Sequence, residues 1–153
     1  MRTVIGMIVA SAVIAAGAAS AQEAARQGRP AAEPDLPGLG EIMVLQQMRH
    51  IKLWFAGSAA NWPLADYEID QLGDGFDDAT KLLGGDIVRQ HVGEAMSKLK
   101  KSIDSKNSAA FAIAFDKLSA GCTACHTTLD HGFIVIQRPR LLPYSNQDFA
   151  PLK

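Results

Sequence analysis

The sequence predicts an all-α protein, an antiparallel up-down-up-down four-helix bundle with an extended C-terminal tail. Three observations carry this. Four successive segments repeat apolar residues at three-and-four spacing, the period of a helix with one buried face. Only short breaks, rich in Gly, Pro and Asn, separate them, and short turns force neighbouring helices antiparallel. Alternating strand patterns are almost missing.

The elements begin after an N-terminal export signal. Residues 1–21 combine Arg2, the apolar run "VIGMIVASAVIAAG" and Ala19-Ser20-Ala21, the layout of a cleaved signal peptide. An uncleaved anchor is the alternative, but the run is shorter than the ~20 residues a spanning helix needs. No later segment is apolar enough to span, so no membrane span is expected in the mature chain. Residues 22–35, "QEAARQGRPAAEPD", are polar and hold two prolines, as a flexible leader would.

The helical domain is expected over 36–131. The first helix takes Asp35 as cap and Pro37 in its first turn, and runs to Gly57 with the seam Leu39, Met43, Gln46, His50, Leu53. Asn61 caps the second, whose seam is Ala65, Ile69, Leu72, Phe76, Ala79, Leu83; Gly73 and Gly75 weaken it and Gly84-Gly85 ends it. Asp86 caps the third, with Val88, Val92, Ala95, Leu99 and Ile103 inward. After "DSKNS", Asn107 or Ser108 opens the fourth, with Phe111, Phe115, Leu118, Cys122, Cys125 and Leu129 inward. The tail, 132–153, opens with "FIVIQ", a lone strand-like run read as an extended strap. The rest is expected to lie across the bundle mouth through Leu141, Leu142, Tyr144 and Phe149.

Charge narrows the partners. The chain has 15 basic and 16 acidic residues, and the signal segment contains one of the basic ones. That balance argues against nucleic acid and against a polybasic membrane surface.

The chemistry concentrates in "CTACH". The chain has two cysteines, Cys122 and Cys125, and His126 follows directly. Two thiols three positions apart with an imidazole next is the pattern of covalent haem attachment. The thiols reach two vinyl groups on one edge of a porphyrin, and the imidazole stands over the iron. On a helix all three project from one side. A disulfide between them would close a very small loop and restrict the unfolded chain little. A thioredoxin-like pair belongs at a helix N-terminus, whereas this pair lies near a C-terminus. With two cysteines, a four-thiolate zinc or iron–sulfur site is disfavoured.

A four-helix bundle with Cys-x-x-Cys-His late in its last helix resembles the cytochrome c′ and cytochrome c-556 group. The resemblance covers residues 36–131. It implies one haem c, thioether links at Cys122 and Cys125, and His126 as proximal ligand. The export signal makes the expected compartment the periplasm; oligomeric state stays open, and bundles of this group often pair as a homodimer through their first two helices. The shorter helices and the long extension after the motif depart from cytochrome c′.

Across the haem, the first helix is the expected source of a distal ligand. Met43 and His50 are the candidates, with an open site and Met96 as the other readings. Both also have ordinary roles, Met43 as core filler and His50 as a satisfied core histidine. Arg49 and Lys52 flank this seam. They either pair with haem propionates or form a solvated face. His91 and His131 read as rim residues. The expected function is an exported electron carrier serving an unidentified redox protein, without enzymatic chemistry of its own. The alternative is a five-coordinate haem that binds nitric oxide or carbon monoxide.

Overall fold

The computed structural model describes residues 36–151, so the expected signal peptide, the leader and the last two residues of the tail lie outside the described residues. Four helices follow one another: α1, Leu39–Ser58; α2, Trp62–Leu83; α3, Ile87–Asp104; and α4, Ser108–Thr128. No strand occurs among the described residues. None of these helices is long and apolar enough to cross a membrane.

Cross-helix bonds give the directions. Gln46 and Arg49 of α1 bond to Leu72 and Glu68 of α2, so later residues on one helix meet earlier ones on the other. Lys100 of α3 pairs with Asp66 and Asp70, while Arg89 reaches Asp77. His91, early in α3, meets Thr128 at the end of α4. His50 of α1 meets Ser119 of α4. Each neighbouring pair is antiparallel, and the core runs down the axis through Leu53, Leu72, Leu99, Phe111, Phe115 and Leu118.

The starts of the helices follow local chemistry. The Asn61 side chain accepts the Leu64 N–H and the Asn107 side chain accepts the Ala110 N–H, so Asn107 and not Ser108 caps α4. The first helix starts later than expected. Gly38 is its cap and Glu41 reaches back to accept the Gly38 N–H at 2.8 Å. Pro37 therefore precedes the cap. Asp86 precedes α3 without bonding it through its side chain.

Three helices end in one way that sequence reading missed. After α1, α3 and α4, a non-glycine residue takes a left-handed conformation: Ala60 (φ 56°), Lys106 (φ 52°) and Asp130 (φ 61°). The following N–H then bonds five residues back, Asn61 to Ala56, Asn107 to Ser102 and His131 to His126. This is the Schellman arrangement usually built on glycine. No glycine marked these stops.

Of the four tail residues expected to lie across the bundle, Phe149 is buried and Tyr144 packs against the core, while Leu141 and Leu142 are exposed. Residues 133–136 lie against the last turns of α4, and Arg138 pairs with Asp116 about two to three turns nearer the α4 start. The chain continues away from the motif. Phe149 is buried beside Phe55, and Asn61 donates to the Ala150 carbonyl.

Candidate functional site

The two ends of the bundle are filled differently. At the α1–α2 turn, Trp54, Trp62, Phe111 and Phe115 stack with ring centroids 5.0 to 6.1 Å apart. Near the α1 start and the α4 end, the axis opens into a cavity of about 720 Å³. That lies within the ~300–1,000 Å³ typical of ligand sites. Its walls are largely apolar, with Leu39, Met43, Phe76, Leu83, Val88, Val92, Leu118 and Leu129 from all four helices, and Ile134, Val135 and Ile136 from the strap.

Cys122, Cys125 and His126 line this one cavity. The local cause is close helix packing. A Cβ on Gly121 would stand 2.5 Å from the His91 carbonyl oxygen, so only glycine lets α4 meet α3 there. The next residue, Cys122, then falls at the cavity wall. Cys125 is buried, Cys122 half-buried, and both thiols are free. Burial pushes the Cys122 thiol up to about 12, with the neighbouring Cys125 adding to it, and burial raises Cys125 as well. Such thiols stay protonated, the opposite of a thioredoxin-like pair.

The imidazole of His126 is oriented by the strap. Its Nδ1 lies 3.0 Å from the Ile134 carbonyl oxygen. A carbonyl only accepts, so Nδ1 carries a proton, and the tautomer this selects has its lone pair on Nε2. This is the arrangement by which a histidine presents a nitrogen to a metal.

His50 is held differently. Ser119 Oγ donates to the Phe115 carbonyl at 3.0 Å, and His50 Nε2 lies 2.8 Å from that oxygen. Nε2–H is thus the donor to Ser119. The ring also lies against Phe115, with centroids 4.4 Å apart, and burial lowers its pKa to about 4. His50 edges the cavity as a neutral, hydrogen-bonded core histidine. Gln46, likewise inward, donates to the Leu72 carbonyl at 2.7 Å. Gly75 makes room for it, since a Cβ there would stand 2.7 Å from Gln46 Oε1.

The His50–Ser119 bond also sets levels across the α1–α4 seam. Met43 stands seven residues before His50, and His126 seven residues after Ser119. Antiparallel helices bring these two to one level, two turns, or roughly 10 Å, from His50 and Ser119. Met43 and His126 both line the cavity.

No protein-family model, curated protein or solved structure matches this chain. The site therefore rests on its own residues.

Two expected site residues lie elsewhere. Arg49 faces α2, where it donates to Glu68 at 3.1 Å and to Gln71 at 3.4 Å, and stacks on Tyr67. Glu68 is 1% exposed, and this buried carboxylate claims the guanidinium that sequence reading assigned to propionates. Met96 lines a separate small hollow between α2 and α3, with Gly93 and Thr80. Lys52 lies over the Tyr144 ring. His91 meets Thr128 at the surface, and His131 stands at the cavity rim. Sequence reading missed Thr123, a free position of the motif. Its hydroxyl accepts the Ile136 N–H at 2.9 Å. Spacing offered no signal for it, because its partner lies in the strap.

Among the described residues, no group of three or more His, Cys, Asp or Glu side chains is arranged to hold a metal ion. The donor set is one imidazole and two thiols beside an apolar cavity. It suits a planar prosthetic group that brings its own four nitrogens and needs axial and covalent anchors.

Proposed function

We propose that this chain is an exported c-type cytochrome that carries single electrons. One haem would be held by thioethers to Cys122 and Cys125, with His126 as proximal ligand and Met43 as distal ligand. The observation that carries this reading is the convergence of both free thiols and a His126 ring with its lone pair on Nε2 at one apolar cavity. When bound, the haem supplies an iron that cycles between two oxidation states.

The chain's own groups do the rest. The apolar walls exclude water and so disfavour the more highly charged state, which raises the potential. The Ile134 carbonyl holds the Nδ1 proton of His126 and keeps the ring fixed. Met43 supports the carrier reading by its level opposite His126. His50 is a weaker candidate, because ligation through Nε2 would break its bond to Ser119. No residue is assigned a bond-making role. The partner would be a redox protein, and the compartment the periplasm.

The test is the absorption spectrum of the mature chain purified from a host that builds c-type centres, together with a haem stain after denaturing electrophoresis. Sharp low-spin α and β bands that become high-spin in Met43→Ala, but persist in His50→Phe, support the reading. A high-spin wild-type spectrum that changes with carbon monoxide would move the protein to the gas-binding class. An unstained, colourless band would end the haem proposal.

A further inference from the structure

The C-terminal strap meets the end of α4 at two points. The Ile134 carbonyl takes the His126 Nδ1 proton, and the Ile136 N–H donates to Thr123 Oγ1 at 2.9 Å. The Thr123 hydroxyl proton in turn faces two carbonyls, Ser119 at 3.2 Å and Ile136 at 3.3 Å. Thr123 therefore grips the strap through the Ile136 N–H, while its single hydroxyl proton is shared between the Ser119 and Ile136 carbonyls. Its hydroxyl is one helical turn from His126, and Ile136 is two residues from Ile134. That spacing matches the two attachment points to one another, since alternate residues of an extended chain face the same way.

The strap is also held by the Ile134 N–H bond to the His131 carbonyl at 2.9 Å and by the half-buried Ile136 at the cavity wall. Phe133 and Val135 are 80% and 66% exposed, so their burial contributes little. Beyond the strap, Arg138 pairs with Asp116 and lies 4.3 Å from the centre of the Trp54 ring, which ties down the chain further along. The hydrogen bonds to α4 are thus one part of what holds the segment from 133 to 137.

We infer that Thr123 is a positioning residue: it clamps the strap at Ile136, and the clamped strap presents the Ile134 carbonyl that fixes the tautomer and orientation of His126. The consequence for redox tuning rests on the haem reading above. A histidine whose Nδ1–H is hydrogen-bonded is a stronger donor to a metal, and a stronger donor stabilises the oxidised state. Without the clamp, the oxidised state loses that support and the potential rises.

The variants are Thr123→Val, which keeps the shape and removes the hydroxyl, and Thr123→Ser, which restores it. Ile136→Pro removes the same N–H from the strap side, outside the helical core. Two measurements are made on the purified full chain. Hydrogen exchange is followed in the 132–140 peptide, and the midpoint potential is read by titration. Thr123→Val and Ile136→Pro should exchange roughly three- to tenfold faster in that peptide, as loss of one net hydrogen bond implies. Both should raise the potential, and Thr123→Ser should return both readings toward wild type.

A coloured Thr123→Val protein with wild-type strap exchange and potential would overturn the inference. So would faster exchange with no change in potential, because the clamp would then be structural only. Should the wild-type chain be colourless, the haem reading fails separately. Nitrogen-15 spectra of His126 then decide the clamp: loss of the Nδ1–H form in Thr123→Val supports it, and an unchanged tautomer overturns it.

Discussion

The two ends of this bundle are built from the same helices by opposite rules. Around the α1–α2 turn, four aromatic rings and Leu53 close the axis, and Phe111 and Phe115 are at most 1% exposed. Two to three turns away, mostly aliphatic side chains, with Phe76, line an axis that leaves about 720 Å³. Protein interiors are close-packed, so a hollow of that size leaves its lining without contacts on one side. The solid end supplies stability from the polypeptide alone. The hollow end leaves an apolar cavity, and the cysteines and His126 stand there.

Mutations at the two ends should separate these roles, beginning with the largest effect. Phe111→Ala at the solid end should cost about 3–5 kcal/mol of unfolding free energy in a denaturant titration. Leu83→Ala, at the rim of the hollow end, should cost the haem-free chain only ~1 kcal/mol. Equal costs would mean that the hollow end is packed in solution. Arg49→Met leaves the buried Glu68 carboxylate without its partner and should cost about 3 kcal/mol. Its absorption spectrum should match wild type, because Arg49 faces α2; a changed spectrum would return this residue to the haem site.

The third prediction concerns the border between the two ends, where His50 sits. Burial lowers its pKa from an ordinary 6.5 to about 4. Between those values the unfolded chain binds the proton and the folded chain does not, so stability falls as the pH drops from 6.5 to 4. The loss should reach up to ~3 kcal/mol at the acid end of that window. It should be absent in His50→Phe, as measured by unfolding at a series of pH values. The smallest effect lies at the surface, in the α3–α4 turn. Lys106 holds φ at 52°, so Lys106→Gly should stabilise by ~1 kcal/mol in thermal unfolding.

Much of the fold was legible because its signals are local. The helical seams hold most of the observed core but miss Ile42, Ala56 and Ala114, and Asn61 and Asn107 cap as their side chains allow. The ends of α1, α3 and α4 were legible only through the breaks that follow them. Their left-handed residues are Ala, Lys and Asp, and no composition rule marks these. At the site, the Cys122, Cys125 and His126 set was legible because three chemically distinct residues share one helical face. The role of Arg49 was not. Its partner Glu68 lies on another helix, and a seam pattern shows which residues are inward without showing which inward carboxylate needs a cation. The choice between Met43 and His50 also needed a cross-helix level, and the His50–Ser119 bond provides it. The strap was legible as extended, but its attachment through Thr123 was not, since a motif's free positions carry no expectation.

The central claim is that the cavity at the end of α4 belongs to a covalently bound haem. Its most direct test is the intact mass, under denaturing conditions, of the mature chain exported from a host able to build c-type centres. The expected mass is that of the polypeptide plus one haem, falling to bare polypeptide in the Cys122→Ala, Cys125→Ala double variant. A wild-type chain at bare polypeptide mass, with both thiols open to alkylation, would contradict it.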